Sequence, residues 1–331
     1  MADHSDTLEA KEGSAFTLAP QTDQSPAEKR AIPLGPNEGL DKHTRVELLK
    51  QERVIADKYY AMGQTRMWMY VAATLVGFTV WVALFPLTIM DVVPLPLAFI
   101  LSYLIATGGY VTAHEAMHST IGRKGTKRRF WNELVGQLSM VPLMFPFSIA
   151  RATHIQHHKF PNDPVKDPDY PDSAPNLRAA LVKAWLNRQP GPDAQVHHIK
   201  RVMLEEVGTP EAKRALKETV IFQIVGHLIF IGMALAGYAI EVALVWWLPR
   251  WCALIHTHVF FSWETHYPHS GRGRYDNTRI FRSSVGSILS MWIEFHLIHH
   301  LYPNIPMHLT KPAYFEMKPV LEQRGVDCSA Y

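Results

Sequence analysis

"MWMYVAATLVGFTVWVALFPLTIM", residues 67–90, runs for 24 residues without a charged side chain, and after Asp91 "VVPLPLAFILSYLIATGGYVTA", residues 92–113, adds 22 more. A helix that crosses a membrane needs roughly 20 predominantly apolar residues, so each run is long enough alone. Farther along, residues 219–263 form a third apolar block of 45 residues whose only fixed charges are Glu241 and Arg250. That length suits two spans joined by a very tight turn near residues 237–241. The expectation is an all-α integral membrane protein with four transmembrane helices, at about 67–90, 92–113, 219–240 and 242–263. Buried helical hairpins in a soluble protein are the alternative, and four paired runs of this length weigh against it. A shorter apolar block, 134–150, is broken by Pro142 and Pro146 and reads as a re-entrant or surface-lying segment.

The whole-chain composition conceals this partition: 331 residues, 47% hydrophobic, 19% charged and a formal charge of +3. The 2 cysteines, Cys252 and Cys328, cannot build a disulfide framework. Residues 1–36 lack the apolar core of a secretory signal and are rich in Ser, Asp, Ala, Pro and Gln. Residues 1–40 are expected to be a disordered tail ahead of one domain, 41–331, with the first span acting as an uncleaved anchor. Basic residues crowd the segment before the first span ("KHTRVELLKQERVIADKYY") and the loop after the second ("RKGTKRR", residues 123–129), whereas the two outer connections are very short. The positive-inside tendency therefore places both termini and the region 123–218 in the cytoplasm. The basic cluster 123–129 is most simply an anchor to lipid headgroups, with docking of an acidic electron donor as the sharper reading. Neither a solenoid-period repeat nor a nucleic-acid motif is present.

Histidine is the most informative residue type, with 18 in the chain. "HEAMH" puts His114 and His118 four residues apart where the second span ends; on a continuing helix they share a face. "RATHIQHHKFPNDPVKDPDYP", residues 151–171, supplies His154, His157 and His158, and "FHLIHHLYP" supplies His296, His299 and His300. Helical spacing lets each triplet form a three-nitrogen claw. The recurrence of the triplet excludes coincidence, although any single helical histidine pair can merely cap or pack. All eight positions converge on the cytoplasmic side, and "HTHVFFSWETHYPHSG" adds His256, His258, His266 and His269 nearby. One structural zinc takes about four ligands, usually with thiolates. Eight or nine imidazoles instead suffice for two irons with positions left open for O₂.

The three boxes, HX₃H, HX₂HH and HX₂HH, on a four-span chain resemble the membrane fatty acid desaturase and hydroxylase superfamily. "HIQHHKFPNDPVKDPDYP", "YPHSGRGRYDNTRIF" and "HLIHHLYPNIPMHLTKPAYFEMKPVLEQRGV" narrow the resemblance to β-carotene hydroxylases of the cyanobacterial type. It covers residues 113–326, with the third and fourth spans alike only in hydrophobicity. The resemblance implies a cytoplasmic helical cap carrying a histidine-rich di-iron site. Its metal ligands would be His114, His118, His154, His157, His158, His269, His296, His299 and His300, with His266 the alternative to His269. Glu294 stands where the family pattern carries an amide; a carboxylate there would orient a ligand imidazole or touch iron. Asp163, Asp167 and Asp169 follow the second box, and metal-bound imidazoles usually donate their other N–H to such carboxylates; a solvated Pro-kinked turn is the bland reading. Glu115 has the same two readings. His197 and His198 are expected to face solvent, and His227 to pack or hydrogen-bond within the bundle. His308 lies past the helix end and could contact the substrate mouth, but nothing in the sequence selects it.

The implied activity is an O₂-dependent di-iron oxidation of a C–H bond in a lipid-soluble substrate. By resemblance this is hydroxylation of the β-ring of carotenoids, β-carotene to zeaxanthin, with electrons from a ferredoxin-like donor and a location in the bacterial inner membrane. A fatty acyl or acyl-lipid desaturase using the same centre is the first rival, because hydroxylation and a second hydrogen abstraction differ only by small changes in substrate placement. A membrane metal transporter is the second; it predicts ligands near mid-membrane, whereas these clusters lie beyond the spans.

Overall fold

The computed structural model describes residues 35–192, 194–268 and 271–331. The tail expected at 1–40 therefore lies outside the described residues except for 35–40, which form a turn bonded through Asn37 to Arg324. Every regular element among the described residues is a helix.

Helix α1 (Lys42–Gln64) starts at Asp41, whose carboxylate accepts the Thr44 N–H at 2.9 Å. The two opening runs fold as α2 (Trp68–Ile89) and α3 (Leu95–Met117), each long and apolar enough to cross a membrane. Pro94 and Pro96 set the start of α3, where a missing N–H costs nothing. Helix α3 is central: α2, α4 (Arg129–Met140) and the later helix α10 (Leu248–His256) all pack on it.

The proline-broken block folds as two helices joined by a turn. Helix α4 leads in, residues 141–146 turn, and α5 (Phe147–Lys159) leads out. The turn leaves backbone carbonyls outside the helix ladders, and buried carbonyls need a partner. Three side chains from later in the chain supply them. Trp246 Nε1 donates to Pro142 O at 3.2 Å, Arg250 Nε to Leu143 O at 2.9 Å and Gln223 Nε2 to Met144 O at 2.6 Å.

Two short helices, α6 (Leu177–Leu186) and α7 (Gln195–Arg201), precede a 57-residue helical run, Pro210–His266, the third segment apolar enough to cross a membrane. It begins with α8 (Pro210–Met233), N-capped by Thr209. At Gly237 the backbone turns to φ 97°, a value glycine adopts without steric penalty. Beyond it α9 (Ala239–Val242), α10 and α11 (Glu264–His266) continue through π-helical turns as one rod, 239–266. A straight helix would put His227 and Trp247 roughly 30 Å apart. Their rings lie 5.4 Å apart, so the run folds back on itself as a hairpin, within the window where the tight turn was expected.

Past the rod come α12 (Gly286–Leu289), α13 (His296–Leu301) and α14 (Met307–Gln323). Helix α14 returns to α1, and a buried Glu52–Arg324 ion pair joins them. Glu52 also accepts from Tyr302 at 2.8 Å and from Tyr275 at 3.0 Å, and Arg324 donates to Asn37 Oδ1 and the Arg45 carbonyl.

Candidate metal centre

Four elements bring the histidines to one end of the bundle. Helix α3 carries His114 and ends on His118; α5 carries His154, His157 and His158; the rod ends on His266; α13 carries His296, His299 and His300. The side chains sort into two groups whose ligand atoms lie within 4.8 Å of one another: His114, His118, His154, His158 and His299, and beside them His157, His266, His296 and His300.

Each triplet is divided between the two groups rather than forming one claw. A helix turns about 100° per residue, so the i, i+4 pairs (His154 with His158, His296 with His300) stay together while His157 and His299 point to the other group. The groups adjoin, and the His158 and His300 rings stack at 4.2 Å.

Within the groups Nε2 faces Nε2. His118 to His154 is 2.7 Å, His158 to His299 2.9 Å, His114 to His299 3.0 Å, and His157 to His266 and His296 to His300 are each 3.1 Å. Two nitrogens bound at right angles to one ion, each about 2.1 Å from it, stand about 3 Å apart. The tautomers point the same way. His157 Nδ1–H donates to Asp167 Oδ1 at 2.9 Å and His266 Nδ1–H to the Asn277 carbonyl at 2.9 Å, so as neutral rings both turn a lone pair toward the other. Only a positive charge, a proton or a metal ion, satisfies that arrangement. Burial opposes charging His157, but Asp167, Asp169 and Asp172 outweigh it and push its pKa up to about 9. For His118, His154, His158, His296, His299 and His300, burial reinforced by neighbouring imidazoles holds the pKa well below the ordinary value. Neutral imidazole is the form that binds metal. The residues fit a pair of cations.

The carboxylates expected behind the ligands divide. Asp167 is fixed by the N–H groups of Asn162 (2.8 Å) and Asp169 (2.9 Å), while His198 Nε2 donates to its carbonyl at 2.7 Å. Asp169 approaches His157 at 3.8 Å. Asp163 does something else: it accepts the N–H groups of Val165 and Lys166 and pairs with Arg272 at 3.0 Å, because a short aspartate before a turn bonds its own backbone. Glu294 is buried, and its Oε1 accepts the Ser283 N–H and the Ser287 hydroxyl. Glu115 is buried too. It accepts the Met307 N–H at 2.6 Å and the Thr120 hydroxyl at 2.7 Å, tying α3 to the first turn of α14.

The remaining histidines have other partners. His256 contacts Tyr103 and the Leu289 carbonyl, His258 pairs with Asp172, His308 meets Tyr70, and His227 bonds the Gln223 carbonyl on an exposed face. His198 was expected to face solvent; its role behind Asp167 has no local sequence signal, since the two are 31 positions apart. Asn162 was equally silent. Its amide donates to the Gly271 carbonyl at 2.7 Å and the Asn277 carbonyl at 2.8 Å, so one residue braces the supports of both His157 and His266. His269, expected as the ninth ligand, lies outside the described residues.

A helical bundle with three membrane-length segments and nine convergent imidazoles defines a membrane metalloprotein of the oxidoreductase class. The chain belongs to the fatty acid desaturase family, whose model matches residues 90–331. It is similar to the sn-1 oleoyl-lipid 12-desaturase of a Picosynechococcus species, 23% identical over 302 residues and 84% of each chain. It also resembles the dihydrorhizobitoxine desaturase of Bradyrhizobium elkanii, 25% identical over 66% of each chain. A shorter segment of 72 residues, 22% of this chain and 16% of its relative, is 36% identical to the zeaxanthin 4-ketolase of Chlamydomonas reinhardtii.

Asp167→Asn keeps the size of the side chain but removes the charge behind His157. Outer-shell partners of this kind contribute about 10–100-fold to metal affinity. The variant is expected to lose metal from the His157 group by about that factor while the His114 group stays loaded, as read by competitive chelation. Equal loss from both groups would contradict the division.

Proposed function

We propose that the chain holds two irons and catalyses an O₂-dependent oxidation of a C–H bond in a lipid-soluble substrate. The observation that carries this reading is the convergence of nine Nε2 atoms as adjoining groups of five and four. His114, His118, His154, His158 and His299 would hold one ion; His157, His266, His296 and His300 the other, with His266 serving as the ninth ligand. An all-imidazole set without thiolate suits iron better than a structural zinc. When bound, the irons supply the redox chemistry that activates O₂.

The chain's own residues do the rest. Asp167 and the Asn277 carbonyl orient His157 and His266. An apolar cluster of Phe261, Phe281, Ile293 and Met307, with Tyr110 and Val111 packed against it, lies where α3 enters the centre and would hold a hydrocarbon while excluding water. Because the run 210–266 reverses at Gly237, the reading has four spans, with the histidine end and both termini cytoplasmic by the distribution of basic residues. A bacterial inner membrane and a ferredoxin-like donor of the two electrons complete it.

For the substrate we favour the carotenoid β-ring, hydroxylated from β-carotene toward zeaxanthin. The loops after the second and third histidine boxes and the similarity to a zeaxanthin 4-ketolase support this. The second reading is acyl-lipid desaturation, supported by the longer matches to desaturases. Expression in a bacterium that accumulates β-carotene, followed by pigment chromatography and fatty acid analysis, tests both. Hydroxylated carotenoid is expected; new double bonds in fatty acids with unchanged pigment would replace this reading by the second.

A further inference from the structure

The segment 283–292, between the end of the rod and the third histidine box, has its polarity turned inside out. Three of its four serines are turned to internal partners: Ser283 Oγ donates to Glu264 at 3.0 Å, Ser287 Oγ to Glu294 at 3.0 Å, and Ser290 Oγ to the Ser287 carbonyl at 3.3 Å, while Ser284 is exposed. Its large apolar side chains point outward, with Ile288 76%, Leu289 50% and Trp292 50% exposed. A loop that faces water shows the opposite pattern.

The backbone of this loop is closed on itself. The N–H of Gly286 bonds Ser283 O, Ser290 bonds Gly286 O, Met291 bonds Ile288 O, Trp292 bonds Ser287 O and Ile293 bonds Ser290 O. The N–H of Ser284 is held by Glu264 at 2.8 Å. Such internal closure is what a segment surrounded by hydrocarbon requires, since lipid offers no partner.

Its attachments fix its depth. The loop starts at Glu264, and its tip is held by His256 Nε2–H, which donates to the Leu289 carbonyl at 2.8 Å. Since that ring nitrogen donates, Nδ1 accepts, and the Tyr103 hydroxyl supplies its proton at 2.7 Å. Glu264 and His256 are eight residues apart on the rod, or about 12 Å along a helix. The loop therefore runs back along the rod from the histidine end toward the middle of the bundle. Beside Tyr103 on α3, Ile100 (52% exposed) and Leu104 (48% exposed) are exposed apolar side chains.

We propose that residues 283–292 form a loop inserted among lipid acyl chains, the lateral wall between the bilayer and the histidine centre. Ile288, Leu289 and Trp292 contact the acyl chains. The inner side, Met291 and Ile293, packs on Phe261, Phe281 and Met307 next to the third box. The proposal rests on the membrane topology given above and adds to it the surface past which a lipid-soluble substrate must travel.

The test uses the full chain with Cys252→Ser and Cys328→Ser, reconstituted in lipid nanodiscs. Single variants Ile288→Cys, Leu289→Cys, Ile100→Cys and Lys124→Cys each receive a bimane label; lipids carrying a mid-chain doxyl group and aqueous iodide serve as quenchers. At Ile288 and Leu289 the lipid quencher is expected to outperform its effect at Lys124 by at least about threefold, with iodide in the reverse order, as for Ile100 on a span. Labels at Ile288 and Leu289 that respond like Lys124 while Ile100 responds to lipid would overturn the loop proposal alone. If Ile100 also responds like Lys124, the membrane topology itself fails. Iron content of each sample, expected unchanged, shows that the label has not disrupted the centre.

Discussion

Alanine at position 299 is expected to empty the five-histidine group of the centre. His299 Nε2 lies 3.0 Å from His114 and 2.9 Å from His158, so it is shared by the helices that bring the first and second boxes together. It is buried. Loss of a direct ligand should exceed the roughly 100-fold effect typical of an outer-shell partner. The five-histidine group should fail to retain iron through purification, and product formation should fall below detection. Helical content should be preserved, because the boxes sit at helix ends and the spans fold without them. Iron analysis with circular dichroism on the same sample decides it: full iron and full activity in His299→Ala would remove the centre as assigned.

Glu52→Ala is the second large effect, on stability rather than chemistry. The carboxylate is fully buried and serves Arg324, Tyr275 and Tyr302 at once. Removing it strands a guanidinium and two hydroxyls inside the α1–α14 contact. Breaking one side of a buried pair costs about 3–5 kcal/mol, whereas replacing both partners by well-packed apolar residues is often neutral. Thermal denaturation in detergent should therefore show a marked loss for Glu52→Ala and recovery of most of it in Glu52→Met combined with Arg324→Met. A single variant as stable as the parent would show that the pair is solvated in practice.

Much of this architecture is readable from local pattern. Uncharged runs marked α2 and α3, two prolines marked the turn between α4 and α5, and the spacing of the boxes marked eight histidines that gather at one end. Long-range partners are not readable in that way. Nothing beside Asn162 announces that its amide reaches 109 and 115 positions ahead, and nothing beside Glu52 announces an arginine 272 positions away. Glu294, two residues before the third box, is bonded to Ser283 and Ser287, partners that nothing beside it in the sequence announces. The sorting of each triplet between two groups was also hidden, since it depends on which neighbouring helix each face meets.

The turn at residues 141–146 has a consequence for how the protein is made. Its carbonyls find their donors 79, 104 and 107 residues downstream. At ribosomal speeds of about 5–20 residues per second, those donors emerge roughly 4–20 seconds after the turn itself. Until then the carbonyls of residues 142–144 lack these partners, and the turn that leads into the second histidine box is not tied to the rod. Assembly of the centre is then expected to follow synthesis of the final rod, so nascent chains stalled before Trp246 should remain protease-sensitive at residues 134–150 and incapable of retaining metal. Protease-protected, iron-bearing stalled chains would show that the order is otherwise.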